Sequence, residues 1–232
     1  RMAIKSLETL ISNWRAGRGS LAHGGLFPSA SVWYFNGFWG WDSWKHAVAL
    51  ARFEPDLAEE QILTMFDHQD EYGMIADCVY ADSTEDNWRN KKPPLAAWSV
   101  KELHGIDKNV KFVESIYPEL VKYHDWWYTY RDHDNNGLCE YGSTDGTIIA
   151  ARWESGVDDG VHYDSTGMVQ NSSIAWSMDQ ESVDLNAYLW FEKQCLADLA
   201  DVLRLEKEAL QYRAEATELK VLIQNLMFDD QT

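Results

Sequence analysis

Leu196-Ala197-Asp198-Leu199-Ala200-Asp201-Val202-Leu203 is the stretch on which the fold turns. Its apolar residues at 196, 199, 200 and 203 follow the i, i+3, i+4, i+7 spacing that lays one stripe along a helix. The same spacing recurs at Trp44, Ala47, Val48 and Ala51, at Val113, Ile116, Tyr117 and Leu120, and at Leu219, Leu222, Ile223 and Leu226. Five prolines and 14 glycines in 232 residues leave room for long helices. Pro55, Pro94 and Pro118 stand where helices could begin, since proline suits the first helical position. The pattern predicts helices over 3–15, 42–53, 55–69, 94–104, 109–117, 118–130, 181–204 and 206–227. The fold class is therefore all-α.

Three irregular stretches rich in Gly, Trp, Asn and Asp separate the helices: 17–41, 70–92 and 131–180. They exceed the usual helix–helix connection, and long ordered loops tend to carry function. Composition narrows what that function can be. A hydrophobic fraction of 45% argues against disorder. No apolar run approaches a membrane span. A formal charge of −18 argues against nucleic acid or an anionic membrane as partner. The 12 Trp, 11 Tyr and 8 Phe exceed what the core needs, so some are expected to line a pocket.

Several local patterns carry little. Gly17-Arg18-Gly19-Ser20-Leu21-Ala22 fits G-x-G-x-x-A but follows a helix, outside any βαβ unit. Cys78, Cys139 and Cys195 make neither a disulfide framework nor a zinc ribbon. No H-E-x-x-H is present. Asn171-Ser172-Ser173 is a formal glycosylation sequon. Arg1 to Ala16 lacks the apolar centre of a signal peptide, which leaves the compartment open.

Asp132-His133-Asp134-Asn135-Asn136-Gly137-Leu138-Cys139-Glu140 places oxygen side chains at alternate positions before a glycine, as in the first half of an EF-hand loop. Position 12 would be Ser143 rather than Glu, so another carboxylate must close the shell, with Glu140 and the distant Glu181 as candidates. Calcium is the expected ion; the alternative is an Asx-rich turn with no metal.

Gly37-Phe38-Trp39-Gly40-Trp41-Asp42-Ser43-Trp44-Lys45 joins indoles to a carboxylate at a helix start. Indole faces stack on a pyranose and a carboxylate accepts from adjacent ring hydroxyls, while the competing reading makes Asp42 an N-cap and the rings core. Ala151-Arg152-Trp153-Glu154-Ser155-Gly156-Val157-Asp158-Asp159 gathers three carboxylates beside an indole. Mutual repulsion and lowered polarity would raise a carboxyl pKa, as a general acid requires; a solvated acidic loop is the plain alternative.

These segments, together with Phe27 to Asn36, Lys92-Pro93-Pro94-Leu95-Ala96-Ala97-Trp98-Ser99 and Gln180-Glu181-Ser182-Val183-Asp184, resemble glycoside hydrolase family 63, specifically the bacterial YgjK-type α-glucosidases. The resemblance runs from about residue 23 to the C-terminus. It implies an (α/α)6 toroid, hydrolysis of small α-linked glucosides with inversion, and a pocket for a terminal glucose. By position it assigns the general acid to Asp158. It places substrate contacts at Trp39, Trp41, Asp42, Phe38, Lys92, Trp153 and Glu154. It builds a calcium shell from Asp132, Asp134, Asn136, the Leu138 carbonyl and Glu181, with Glu140 close by. Family members suit a periplasmic or secreted location.

The stretches 142–152 and 159–180 are compact beside the family's frequent inserts, which bears on the pocket rim. Nothing after Glu181 resembles the family's general base, and eight helical segments are fewer than six helix pairs. Residues 1–232 therefore read as one partial catalytic domain that turns over poorly alone and associates with the rest of the toroid on the same or another chain. The competing expectations are a non-catalytic, calcium-stabilised carbohydrate-binding or scaffold domain, and the same mechanism on trehalose or on a mannosyl- or glucosylglycerate.

Overall fold

The computed structural model describes residues 1–228. The spacing of apolar residues produces eight α-helices among them: α1 (Met2–Ser12), α2 (Gly40–Ala51), α3 (Pro55–Phe66), α4 (Ala96–Asp107), α5 (Val110–Tyr130), α6 (Ile148–Ser155), α7 (Val183–Val202) and α8 (Glu206–Leu226). None is long and apolar enough to cross a membrane. Helices α2, α4 and α7 pack side by side in that order, and α3, α5 and α8 back them as a second layer. Trp44, Ala47, Leu50, Ile62, Met65, Val100, Val113, Leu196 and Leu199 form the buried seam between the layers. A second cluster sits under the long third loop, with Trp126, Trp127, Leu138, Tyr141, Tyr163, Met178, Leu185 and Leu219. Leu210, Val221 and Leu226 on α8, and Met2, Ile4 and Ile11 on α1, are exposed.

Three expected boundaries are corrected. The break at Pro118 does not occur, and α5 runs through it. Phe112, Val113, Ile116, Tyr117, Leu120, Tyr123 and Trp127 make one continuous buried face, whereas Pro118 is exposed. The cooperative burial of that face outweighs one lost backbone hydrogen bond. Pro94 does not start α4, which begins at Ala96. Helix α1 stops at Ser12, because Trp14–Arg15 (β1) pairs antiparallel with Gly25–Leu26 (β2).

The expectation of helices alone missed short strands that tie the loops together. Phe38–Trp39 (β3) pairs with Cys78–Val79 (β4), joining the first loop to the second. Glu140–Ser143 (β5), Met168–Gln170 (β6) and Trp176–Glu181 (β7) form an antiparallel sheet in the order β5-β7-β6. Arg89 and Thr144 join the second loop to the third: Thr144 N–H donates to the Arg89 carbonyl at 2.8 Å, and Arg89 Nε donates to Asp145 at 2.5 Å. The three loops thus collect in one place.

Candidate active site

Helix α2 is positioned from its first residue. The Gly40 N–H donates to the Asp77 carbonyl at 2.9 Å. A Cβ at Gly40 would stand 3.3 Å from Lys92 Cβ, so glycine lets the helix start close against the second loop. Asp42 lies in the first turn, half-buried, and does not cap the helix. Among the described residues its carboxylate accepts no hydrogen bond and forms no ion pair. Burial lowers the Lys45 pKa, and the Asp42 carboxylate works against that shift.

The rings around Asp42 divide by exposure. Trp39 is half-buried, edge-on to Phe35 at 5.4 Å and to Tyr80 at 6.1 Å. Trp41 is half-buried and carries Lys45 Nζ at 3.5 Å from its ring centroid. Phe38, expected at the sugar, is 1% exposed and packs on Phe27 at 4.8 Å; it belongs to the core because strand alternation turns it away from Trp39.

Helix α6, absent from the expected helices, carries the acidic run. Thr147 caps its start, and it ends at Gly156 with φ +74°, the left-handed conformation that glycine adopts without penalty. A Cβ there would overlap the Trp41 ring, so Gly156 also lets Trp41 pack flush against the helix end. That contact sets the residue before Asp42 against the residue two before Asp158. Asp158 and Asp159 follow in a turn closed by the Gly160 N–H on the Val157 carbonyl at 3.0 Å, and both are exposed. Neither side chain has a hydrogen-bond or ion-pair partner among the described residues.

Glu154, expected at the substrate, is corrected. It is fully buried and bidentate with Arg131, at 2.7 Å to Nε and 3.0 Å to Nη2. It also accepts from the Gly142 N–H at 2.8 Å and the Lys91 N–H at 3.2 Å. The crowding of three carboxylates therefore does not form, because Arg131 takes one of them. Trp153 remains half-buried, with Arg89 Cζ 5.1 Å from its ring. Lys92 is buried, pairs with Asp77 at 3.2 Å and donates to the Trp153 carbonyl, so it braces the two loops.

Asp77, Lys45, Arg89 and Arg131 were not anticipated. Burial pushes the Asp77 carboxyl up to about 6, with Lys92 opposing. Its signal was a lone carboxylate inside the apolar run Met74-Ile75-Ala76-Asp77-Cys78.

The Asp132–Glu140 loop folds back on its own side chains. Asp132 accepts from the Asn136 and Gly137 N–H groups, each at 3.0 Å. Asn136 Nδ2 donates to Asp134 at 3.1 Å and to Glu181 at 2.8 Å, which brings the distant carboxylate to the loop. Leu138 is buried, and its N–H donates to Asn136 Oδ1 at 2.8 Å. Glu140 pairs with Glu181 across β5 and β7, and like charges opposite one another are destabilising. Glu140 is fully buried, its Oε1 has no partner, and burial pushes its carboxyl up to about 7 against the pull of His133. Ligand atoms of His133, Asp134 and Glu140 lie within 4.8 Å of one another. A hard cation suits this oxygen-rich set with its orphaned buried carboxylate oxygen.

Comparison with known proteins gives this geometry a family. Residues 34–232 match the family described as the mannosylglycerate hydrolase MGH1-like glycoside hydrolase domain. The chain belongs to that family. A mannosylglycerate hydrolase of Thermus thermophilus is 27% identical over 183 residues, covering 69% of this chain and 40% of that protein. Mannosylglycerate hydrolase MGH2 of Selaginella moellendorffii is 25% identical, covering 70% of this chain and 34% of its own length. The present chain thus aligns with well under half of either relative. The crystal structure of a family 63 mannosylglycerate hydrolase from Thermus thermophilus, with Tris and D-glycerate, superimposes with a TM-score of 0.73 at 19% identity, covering 100% of this chain and 66% of that one. The fold is accordingly a partial α/α toroid, with α2, α4 and α7 backed by α3, α5 and α8. Family membership makes the chain a glycoside hydrolase domain of the MGH1-like type. These relatives are named for mannosylglycerate, whereas the sequence resemblance pointed to the YgjK-type α-glucosidases.

Proposed function

We propose that the complete protein is an inverting glycoside hydrolase acting on a small α-linked hexoside with an acidic aglycone, of the mannosyl- or glucosylglycerate kind. The observation that carries this reading is Asp158: an exposed carboxyl with no hydrogen-bond or ion-pair partner among the described residues, two residues past the contact of Gly156 with Trp41. Its proton goes to the glycosidic oxygen as the bond to the anomeric carbon breaks. A base supplied from outside these 232 residues takes a proton from the water that attacks the opposite face. Asp42 accepts from adjacent ring hydroxyls, and Trp39 and Trp41 offer ring faces to the sugar. Lys45, exposed and lying over the Trp41 ring, offers a cation at the site and favours an anionic aglycone over a neutral one. The names of the relatives favour the same choice. Small neutral α-glucosides, as the YgjK-type resemblance suggests, are the second reading.

Calcium is part of the proposal, held by Asp132, Asp134, Asn136, the Leu138 carbonyl and Glu181, with Glu140 beside them. It would neutralise the facing carboxylates of β5 and β7. Chelation should lower the melting temperature, since an ion bound only by the folded state stabilises it; an unchanged melting temperature removes the ion from the proposal.

The deciding experiment incubates the full-length protein with mannosylglycerate, glucosylglycerate, trehalose and maltose and follows the released sugar by NMR. The glycerates should be cleaved fastest, with the β-anomer appearing first. An α-anomer as first product would refute inversion. Preference for maltose would restore the glucosidase reading. No cleavage of any α-glycoside would leave a carbohydrate-binding or scaffold domain. The 232 residues alone are expected to turn over poorly.

A further inference from the structure

A second pocket lies on the same loop face, outside the site built around Asp42 and Asp158. It is a cavity of about 350 Å³ lined among others by Asp70, Tyr72, Trp88, Trp126, Tyr130 and Thr144. That size lies within the range of small-ligand sites. Its walls come from the segment after α3, the end of α5 and the residues following β5. All are interior to the chain and lie between the α2–α3 and α7–α8 pairs.

Trp88 and Arg89 face different sites. Arg89 turns to Asp145, Thr147 and the Trp153 ring on α6 and the residues before it. Trp88 turns to the second cavity, and Thr144 Oγ1 fixes its backbone by donating to the Trp88 carbonyl at 2.8 Å. Tyr72 and Trp88 are 49% and 36% exposed, and Trp126, 3% exposed, is the floor. Tyr130 links floor to wall, 5.5 Å from Trp126 and 6.2 Å from Tyr72. Asp70 Oδ1 is satisfied by the Tyr72 and Met74 N–H groups at 2.9 and 2.8 Å. Its Oδ2 has no partner among the described residues.

We infer that this cavity binds a neutral saccharide as a site separate from catalysis. Aromatic walls suit the C–H faces of a pyranose, and the free Asp70 oxygen suits a sugar hydroxyl. An anionic ligand would meet the Asp70 carboxylate. A cationic ligand is disfavoured because Lys91 Nζ and Arg131 Cζ already stand 4.3 and 4.6 Å from the Trp126 ring centroid. A purely apolar ligand would leave Asp70 Oδ2 buried without a partner. The inference does not depend on Asp158 being the acid, so it stands or falls apart from the proposed activity.

The test titrates the complete protein with maltotriose by calorimetry and tryptophan fluorescence. It is run in an Asp42→Ala background, which removes the glycone site. Binding should persist there. Adding Trp88→Ala should weaken it about tenfold or more, and Trp88→Phe should restore part of the loss. Asp70→Asn keeps the acceptor used by the turn, so it tests the free oxygen alone and should weaken binding severalfold. Loss of all binding with Asp42→Ala overturns the inference, as does an affinity untouched by Trp88→Ala. Tetramethylammonium competing with maltotriose for the cavity would show a cation site instead.

Discussion

Glu154 and Asp158 are one helical turn apart in sequence and sit on either side of the end of α6. Glu154, inside the helix, is fully buried and spends both oxygens on Arg131 and two backbone N–H groups. Asp158, past the Gly156 cap, is exposed and has no hydrogen-bond or ion-pair partner among the described residues. The same functional group thus serves two purposes. A buried carboxylate must be paired, and once paired it is unavailable to a substrate. An exposed one stays accessible to a substrate. The left-handed glycine between them turns the chain from one environment to the other.

The largest effect expected from this contrast is on catalysis at Asp158. In the complete enzyme, Asp158→Asn should lower kcat about 10²–10⁴-fold and leave the melting temperature unchanged. Hydrolysis near the wild-type rate would remove Asp158 from the role of acid. Glu154→Gln should show the opposite profile. Leaving the Arg131 guanidinium buried without its counter-charge should cost about 3–5 kcal/mol in urea unfolding. A loss below about 1 kcal/mol, the level of a surface pair, would erase the distinction between the two carboxylates.

Gly156→Ala probes the boundary itself. The positive φ should cost about 1–3 kcal/mol, and the added methyl must displace the Trp41 ring. Activity of the complete enzyme should therefore fall more than its stability does. Equal falls in both would make the Trp41 contact purely structural.

The smallest effect concerns Lys91, whose backbone supports Glu154 and whose ammonium is fully buried among Tyr123, Trp126 and Trp127. Burial lowers its pKa to about 7, with Glu154 opposing. The unfolded side chain titrates near 10.4. Between about pH 7 and 10 the unfolded chain therefore holds more protons, so this residue makes stability rise with pH across that window. Lys91→Met should raise the urea midpoint at pH 7 and flatten its rise toward pH 10. A slope unchanged by the substitution would show that Lys91 titrates normally in the folded state.

The helices were legible because each carries a complete apolar stripe within a few turns of its own sequence, as Leu196 to Leu203 does. Helix α6 was not, since its buried residues are two alanines, a glutamate and a serine, and no apolar stripe marks them. The Asp132 loop is built from residues consecutive in sequence, and β7 brings the distant Glu181 carboxylate to it. Phe38, Glu154 and Lys92 were placed at the sugar by neighbourhood in the sequence, and the packing moved Phe38 and Glu154 away from it and set Lys92 as a brace. Asp77 was missed because its importance comes from Lys92, fifteen residues on, and from the Gly40 N–H, neither of which a local reading connects.

By itself the sequence determined the main helices, the oxygen-rich loop and the run that presents Asp158, because periodicity, turn chemistry and motif spacing act between near neighbours. Only the tertiary structure decided which carboxylate meets solvent and which meets Arg131, and how three loops distant in sequence are tied together. Burial and pairing depend on what folds against a residue, and that is set by contacts across the whole chain.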